Sequence, residues 1–161
     1  MAIKVGDRVP TGTLNVMTDK GPGALTTDEL FKGKKVMLFA LPGAFTPTCS
    51  AKHVPSYLNN LDAIKKKGFD TVACLSVNDA FVMGAWSRDQ KADGKITFLA
   101  DGAAAFTKAL GLELDLTARG MGVRAKRFAM IVEDGVVKQL QIEENPGALD
   151  VSSAEKMLTL A

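Results

Sequence analysis

Cysteine, histidine, tryptophan and tyrosine are all scarce in this chain. Its 161 residues include 2 cysteines, 1 histidine, 1 tryptophan and 1 tyrosine, and aromatic residues make up 6%. Cys49 and Cys74 do not form a CxxC pair and cannot build a disulfide framework. With His53 as the lone imidazole, a zinc site of Cys and His ligands is not expected. Charge of one sign is lacking too: 20 Lys and Arg stand against 18 Asp and Glu, a net +2. That surplus is too small to imply a nucleic-acid partner. The densest basic run, Lys65-Lys66-Lys67, suits a helix end, where cations meet the negative pole of the dipole. No apolar run is long enough to cross a membrane. The opening Met1-Ala2-Ile3-Lys4-Val5-Gly6-Asp7 has no apolar core of a secretory signal. These readings predict a cytoplasmic protein with neither a membrane nor a nucleic-acid partner.

What is present is the makings of one substantial core. The hydrophobic fraction is 47% and the charged fraction 24%, and the length suits a single domain over residues 1–161. Strands are predicted at 14–17, at the continuous apolar runs 36–41 and 71–77, and at 96–100. Residues 48–67 read as one long helix with Val54, Tyr57, Leu58, Leu61 and Ile64 on one stripe, kinked at Pro55 and closed by Gly68. Shorter helices are predicted over 79–91 and 103–110. Glu133-Asp134-Gly135 joins runs 128–132 and 136–142 in a hairpin, and Ser152 or Ser153 opens a last helix. Helices that link strands favour an α/β sheet. The terminal hairpin suits a thioredoxin-like arrangement, although periodicity alone does not select it over a flavodoxin-like one.

Chemistry concentrates in Pro42-Gly43-Ala44-Phe45-Thr46-Pro47-Thr48-Cys49, between a buried strand and the long helix. With Thr46 as N-cap and Pro47 at the first helical position, Cys49 falls in the first turn. Unpartnered N–H groups and the positive end of the dipole favour a thiolate there. A thiolate can attack one oxygen of a peroxide in line and expel the other, and the sulfenic acid formed is then reduced by a second thiol. The alternative is Cys49 as a small buried hydrophobe. Its place at the edge of the helical stripe weighs against that.

The pattern Pro42-x-x-x-Thr46-x-x-Cys49 matches the signature of the peroxiredoxins. The stretches 42–49, Ala73-Cys74-Leu75-Ser76-Val77-Asn78-Asp79-Ala80-Phe81-Val82 and Arg127-Phe128 resemble the type II, peroxiredoxin-five-like group, as do 3–7 and 30–35. The resemblance covers nearly the whole chain. It implies a thioredoxin-like fold with a central mixed sheet flanked by helices. It also implies reduction of hydrogen peroxide and organic hydroperoxides by Cys49, with Thr46 bonded to peroxide and sulfur, and Pro42 as a shield. The family arginine maps onto Arg127, which strand alternation puts on the face of Ala129 and Ile131, with Arg124 and Lys126 on the other. Val151 stands where some members carry a resolving cysteine. The implied cycle therefore uses no bound cofactor and an external thiol, glutathione with glutaredoxin, or thioredoxin. A homodimer with the Phe45 and Asp79 regions near its interface is implied as well.

Four other readings remain at this point. Cys74 is expected to be a buried strand residue, the alternative being a resolving thiol. His53, four residues after Cys49, is expected to border the pocket, the alternative being a Cys–His pair for acyl transfer. A thiol–disulfide oxidoreductase would want a second thiol near Cys49, and Ser50, Ala51 and Lys52 supply none. A redox sensor that oxidises at Cys49 without turning over shares the first step with a peroxidase.

Overall fold

In the computed structural model, which describes residues 1–161, the apolar runs of the sequence lie side by side. Strands β1 (Thr13–Thr18) and β2 (Gly21–Thr26) form a hairpin, and α1 (Thr27–Phe31) leads into β3 (Lys35–Ala40). After the Cys49 segment come α2 (Val54–Leu58), α3 (Leu61–Lys66), β4 (Thr71–Ser76), α4 (Ala80–Asp89), β5 (Thr97–Ala100) and α5 (Ala105–Leu110). A small hairpin of β6 (Glu113–Leu116) and β7 (Gly122–Ala125) precedes β8 (Phe128–Glu133), β9 (Val136–Ile142) and α6 (Ala154–Leu160). The main sheet runs β2-β1-β5-β4-β3-β8-β9. Strands β3, β4 and β5 are parallel, and β1, β8 and β9 enter antiparallel. This is the thioredoxin-like mixed sheet that the resemblance implied, not the flavodoxin-like alternative.

Strand period explains the two cores. Met37, Phe39 and Leu41 face one side with Val72, Cys74, Ala129 and Ile131, under α2, α3, α4 and α6. Val36, Leu38 and Ala40 face the other with Ala73, Leu75, Phe128 and Met130, under α1 and α5. Strands covered on both faces have to be continuously apolar, which is why β3, β4 and β8 stand out in the sequence.

The single helix expected over 48–67 is broken in two places. Pro55 has no N–H to give the carbonyl four residues back, and its ring would collide with that carbonyl. The backbone widens instead into a π-turn, Cys49–His53, with the Val54 N–H donating to the Cys49 carbonyl. The second break falls at Asn59-Asn60. There the Asn60 amide donates to the Ser56 carbonyl at 2.7 Å and to Glu155 Oε2 at 2.7 Å, which ties the break to α6. Elements β2, α1, β6 and β7 were not anticipated. Strand β2 carries Gly21, Pro22 and Gly23 at the sheet edge, where proline is tolerated.

Candidate active site

The loop from β3 to Cys49 is fastened on both sides. Asn78, just past β4, accepts the Ala44 N–H at 3.0 Å and also the Ser76 hydroxyl. From β7, Arg124 donates to the Met121 carbonyl at 2.9 Å and to the Pro42 carbonyl at 3.3 Å. Gly43 leaves the room this requires, since a Cβ there would stand 2.8 Å from Arg124 Nη1. Pro42 is buried. Thr46 is the helix-capping residue in position, its carbonyl accepting the Ser50 N–H at 3.0 Å. Its side chain works differently from the expected N-cap: the hydroxyl donates to the Gly43 carbonyl at 2.7 Å. That commits its proton and leaves its lone pairs as acceptors.

Cys49 lies fully buried at the start of the π-turn, and the hydrogen bond to its sulfur comes from Arg127 Nη2 at 3.0 Å. Arg127 sits just ahead of β8 and is 2% exposed. A buried guanidinium costs several kcal/mol unless its donors are matched. Here Nε donates to the Pro146 carbonyl at 2.9 Å and Nη1 to His53 Nδ1 at 2.7 Å. No carboxylate pairs with Arg127, because the one ion pair in the protein joins Lys4 and Asp7 at the surface. The sulfur of Cys49 is therefore the one group in contact with this cation that can carry a negative charge. The structure thus brings Arg127 to Cys49 and places Arg124 on the Pro42 carbonyl. Thr46 and Pro42 belong to the same loop but do not hydrogen-bond the sulfur.

His53 borders this cluster, as expected, and the Cys–His alternative fails on geometry. Arginine has only donors, so Nδ1 must accept from Arg127, and Nε2–H then donates to the Ser152 carbonyl at 3.1 Å. Neither ring nitrogen is free for Cys49. Burial, reinforced by the Arg127 cation and opposed by the Ser152 carbonyl, lowers the His53 pKa to about 3, which suits no general base at neutral pH.

Cys74 lies mid-strand, paired across to Phe39 and Phe98 and fully buried. Burial pushes its thiol pKa well up, with Cys49 adding to the shift and Arg127 opposing it. Both cysteines are free thiols. No group of three or more His, Cys, Asp and Glu side chains is arranged to hold a metal.

Sequence reasoning missed the segment 143–152, which backs the whole cluster. It supplies the Pro146 carbonyl to Arg127, the Gly147 carbonyl to the Thr48 hydroxyl at 2.8 Å, and the Ser152 carbonyl to His53 and, at 2.8 Å, to the Tyr57 hydroxyl. Nothing in its local pattern signals this. Glu143 follows a strand that already carries Lys138, Gln139 and Gln141 and is itself followed by Glu144, so nothing in the sequence sets it apart. A cleft of about 590 Å³ lies elsewhere, at the strand ends marked by Thr71 and Thr97. Three cations, Lys65, Arg88 and Lys95, and three carboxylates, Asp19, Asp70 and Asp93, line it, and it holds no cysteine or histidine. Open α/β sheets place their chemistry at the carboxyl ends of the strands, where Cys49 is, rather than at this end.

The Redoxin family model matches residues 4–158. Peroxiredoxin-2E, a chloroplastic protein of Arabidopsis thaliana, is 49% identical over 98% of this chain and 68% of its own length. Peroxiredoxin-2B of the same plant is 45% identical over 97% of this chain and 96% of its own. The crystal structure of reduced Prx3 from Vibrio vulnificus in complex with hydrogen peroxide superposes with a TM-score of 0.92 at 50% identity, covering 98% of both chains. With the Pro42–Cys49 loop and the Arg127 contact in place, these likenesses settle the family: the chain belongs to the Redoxin family, as a peroxiredoxin of the type II, peroxiredoxin-five-like group.

Proposed function

We propose that Cys49 is the peroxidatic residue of a thiol-dependent peroxidase acting on hydrogen peroxide and organic hydroperoxides. The observation that carries this assignment is the Arg127 Nη2–Cys49 Sγ contact of 3.0 Å, made by a buried cation with no carboxylate partner. The thiolate attacks one peroxide oxygen; the S–O bond forms as the O–O bond breaks. Sulfur loses two electrons and becomes Cys49–SOH, and the departing oxygen takes a proton to leave as water or an alcohol. Arg127 stabilises the thiolate and the charge moving onto oxygen. The Thr46 oxygen, its proton given to Gly43, accepts the peroxide O–H and orients it. Pro42, buried in the same loop, screens the sulfur from water.

Regeneration uses an external thiol. Cys74 is held mid-strand, and position 151 is valine. One thiol attacks the sulfenic sulfur, releasing water and forming a mixed disulfide; a second attacks that disulfide, bonds to the first thiol's sulfur and frees the Cys49 thiolate. Glutathione with glutaredoxin, or thioredoxin, fits this sequence of steps. Phe45 (54% exposed), next to Ala44, and Phe81 (65% exposed), in the first turn of α4 after Asn78, form the surface proposed for a second copy of the chain, with the Ala44–Asn78 hydrogen bond joining the two segments. The cytoplasm, as a thiol-reducing compartment, is the proposed address, although the Arabidopsis relative named above is chloroplastic.

The test is hydrogen peroxide consumption by the purified protein with each reductant system, beside Cys49→Ser. Multiple turnover lost in the variant supports the assignment. A single stoichiometric oxidation with no turnover indicates a sensor instead.

A further inference from the structure

We propose that Glu143 is a positioning residue for this reaction, holding Arg127 against Cys49 through the Ser152 carbonyl and the His53 ring; the inference rests on the role given above to the Arg127–Cys49 contact. Glu143 is 5% exposed. Its Oε2 accepts from the backbone N–H groups of Asp150, Val151 and Ser152 at 2.9, 2.8 and 2.8 Å, and from the Ser152 hydroxyl at 2.7 Å. Four donors converging on one carboxylate oxygen hold residues 150–152 in one conformation. That conformation aims the Ser152 carbonyl at His53 Nε2 and at the Tyr57 hydroxyl.

The consequence passes through the imidazole. Its Nε2–H is held by Ser152, so Nδ1 must be the bare nitrogen that receives Arg127 Nη1. If the ring took the other tautomer, an N–H would confront the guanidinium N–H across 2.7 Å, and Arg127 would have to move away from the sulfur. Glu143 also meets Arg127 directly in the backbone, its N–H donating to the Arg127 carbonyl at 2.9 Å. Glu143 therefore meets both ends of the route that ends on Cys49, its carboxylate at residues 150–152 and its backbone at Arg127.

The protein has 1 histidine, so the ring can be read without ambiguity by nitrogen NMR of histidine-labelled, reduced protein. The parent is expected to show protonated Nε2 and bare Nδ1 from about pH 5 to 8, without titration. Protonated Nδ1, or an imidazolium in that range, overturns the proposal with no variant needed. In Glu143→Gln the carboxylate charge is lost at constant size. The imidazole is expected to populate the other tautomer or to titrate. The single oxidation of Cys49 by hydrogen peroxide, followed by stopped flow, is expected to slow about threefold to thirtyfold. A folded Glu143→Gln with parent imidazole signals, or with the parent oxidation rate, overturns it. If that variant does not fold, Ser152→Ala, which removes one of the donors to Glu143, carries the same two readouts with a smaller change expected and no change fatal. These measurements need no reductant. Failure of multiple turnover, or turnover surviving in Cys49→Ser, would count against the proposed function and leave the imidazole result standing.

Discussion

At the scale of single residues, the decisive pair is Arg127 and Cys49. A cation this deeply buried is tolerated because carbonyl and imidazole acceptors take its Nε and Nη1, and an anionic sulfur completes the set through Nη2. Replacing Arg127 by Gln removes both the charge and the fork. The second-order rate of Cys49 oxidation, measured by stopped flow, is expected to fall about a hundredfold, the usual cost of losing one preorganised charge-stabilising donor. Arg127→Lys is expected to recover little of this, because one ammonium cannot reach Pro146, His53 and Cys49 together. The two cysteines should separate cleanly in the same assay. Cys49→Ser abolishes peroxide turnover. Cys74→Ala keeps most of it, since its thiol sits between Phe39 and Phe98 in the sheet rather than at the loop. Loss of turnover in a folded Cys74→Ala would show that Cys74 resolves the sulfenate.

Elements position those residues, and the loop between β3 and the π-turn is the most constrained of them. A Cβ at Gly43 would meet Arg124 Nη1 at 2.8 Å and Thr46 Cγ2 at 3.3 Å. The flexible arginine end gives way more easily than the loop. Gly43→Ala is therefore expected to break the Arg124–Pro42 contact and slow oxidation severalfold, with little further loss when Arg124→Ala is added. Additive losses in that double-mutant cycle would mean the alanine acts by another route. The same elements show what a sequence can disclose. Strands β3, β4 and β8 are legible because both their faces are buried and their apolar runs are unbroken. Helix α1 is not apparent from periodicity at five residues, yet it carries a capping box between Thr26 and Glu29 that a search for caps would have found. Strand β6 alternates exposed and half-buried residues over only four positions, too few to read. Cys49, Thr46 and Pro42 are local in the chain and could be named from one segment. Arg127 came from the resemblance and strand alternation. Glu143 is not legible in the sequence, and Ser152 is legible only as a candidate helix cap, because their part in the site arises from a fold that sets position 152 against position 53.

At the scale of the whole molecule, a neutral buried histidine ties stability to pH. Free in the unfolded chain, His53 takes up a proton around the ordinary value of 6.5, whereas in the folded protein burial, helped by the Arg127 cation, lowers this to about 3. Between those values the unfolded state binds one more proton than the folded state. The contribution of His53 is therefore fully present above pH 6.5 and drains away as pH falls toward 3, by about 1.4 kcal/mol per pH unit. Carboxylates add their own acid sensitivity lower in this range, so the comparison that isolates His53 is parent against His53→Gln, a side chain that does not titrate. Urea unfolding from pH 7.5 down to 5 should show parent stability falling below pH 6.5 with about that slope, while the variant starts lower and stays flatter. Parallel curves would mean that the folded imidazole takes up its proton as readily as the unfolded one. A ring protonated at Nδ1 could not accept from Arg127, so that outcome would undo the arrangement around Cys49 as well as the pH argument.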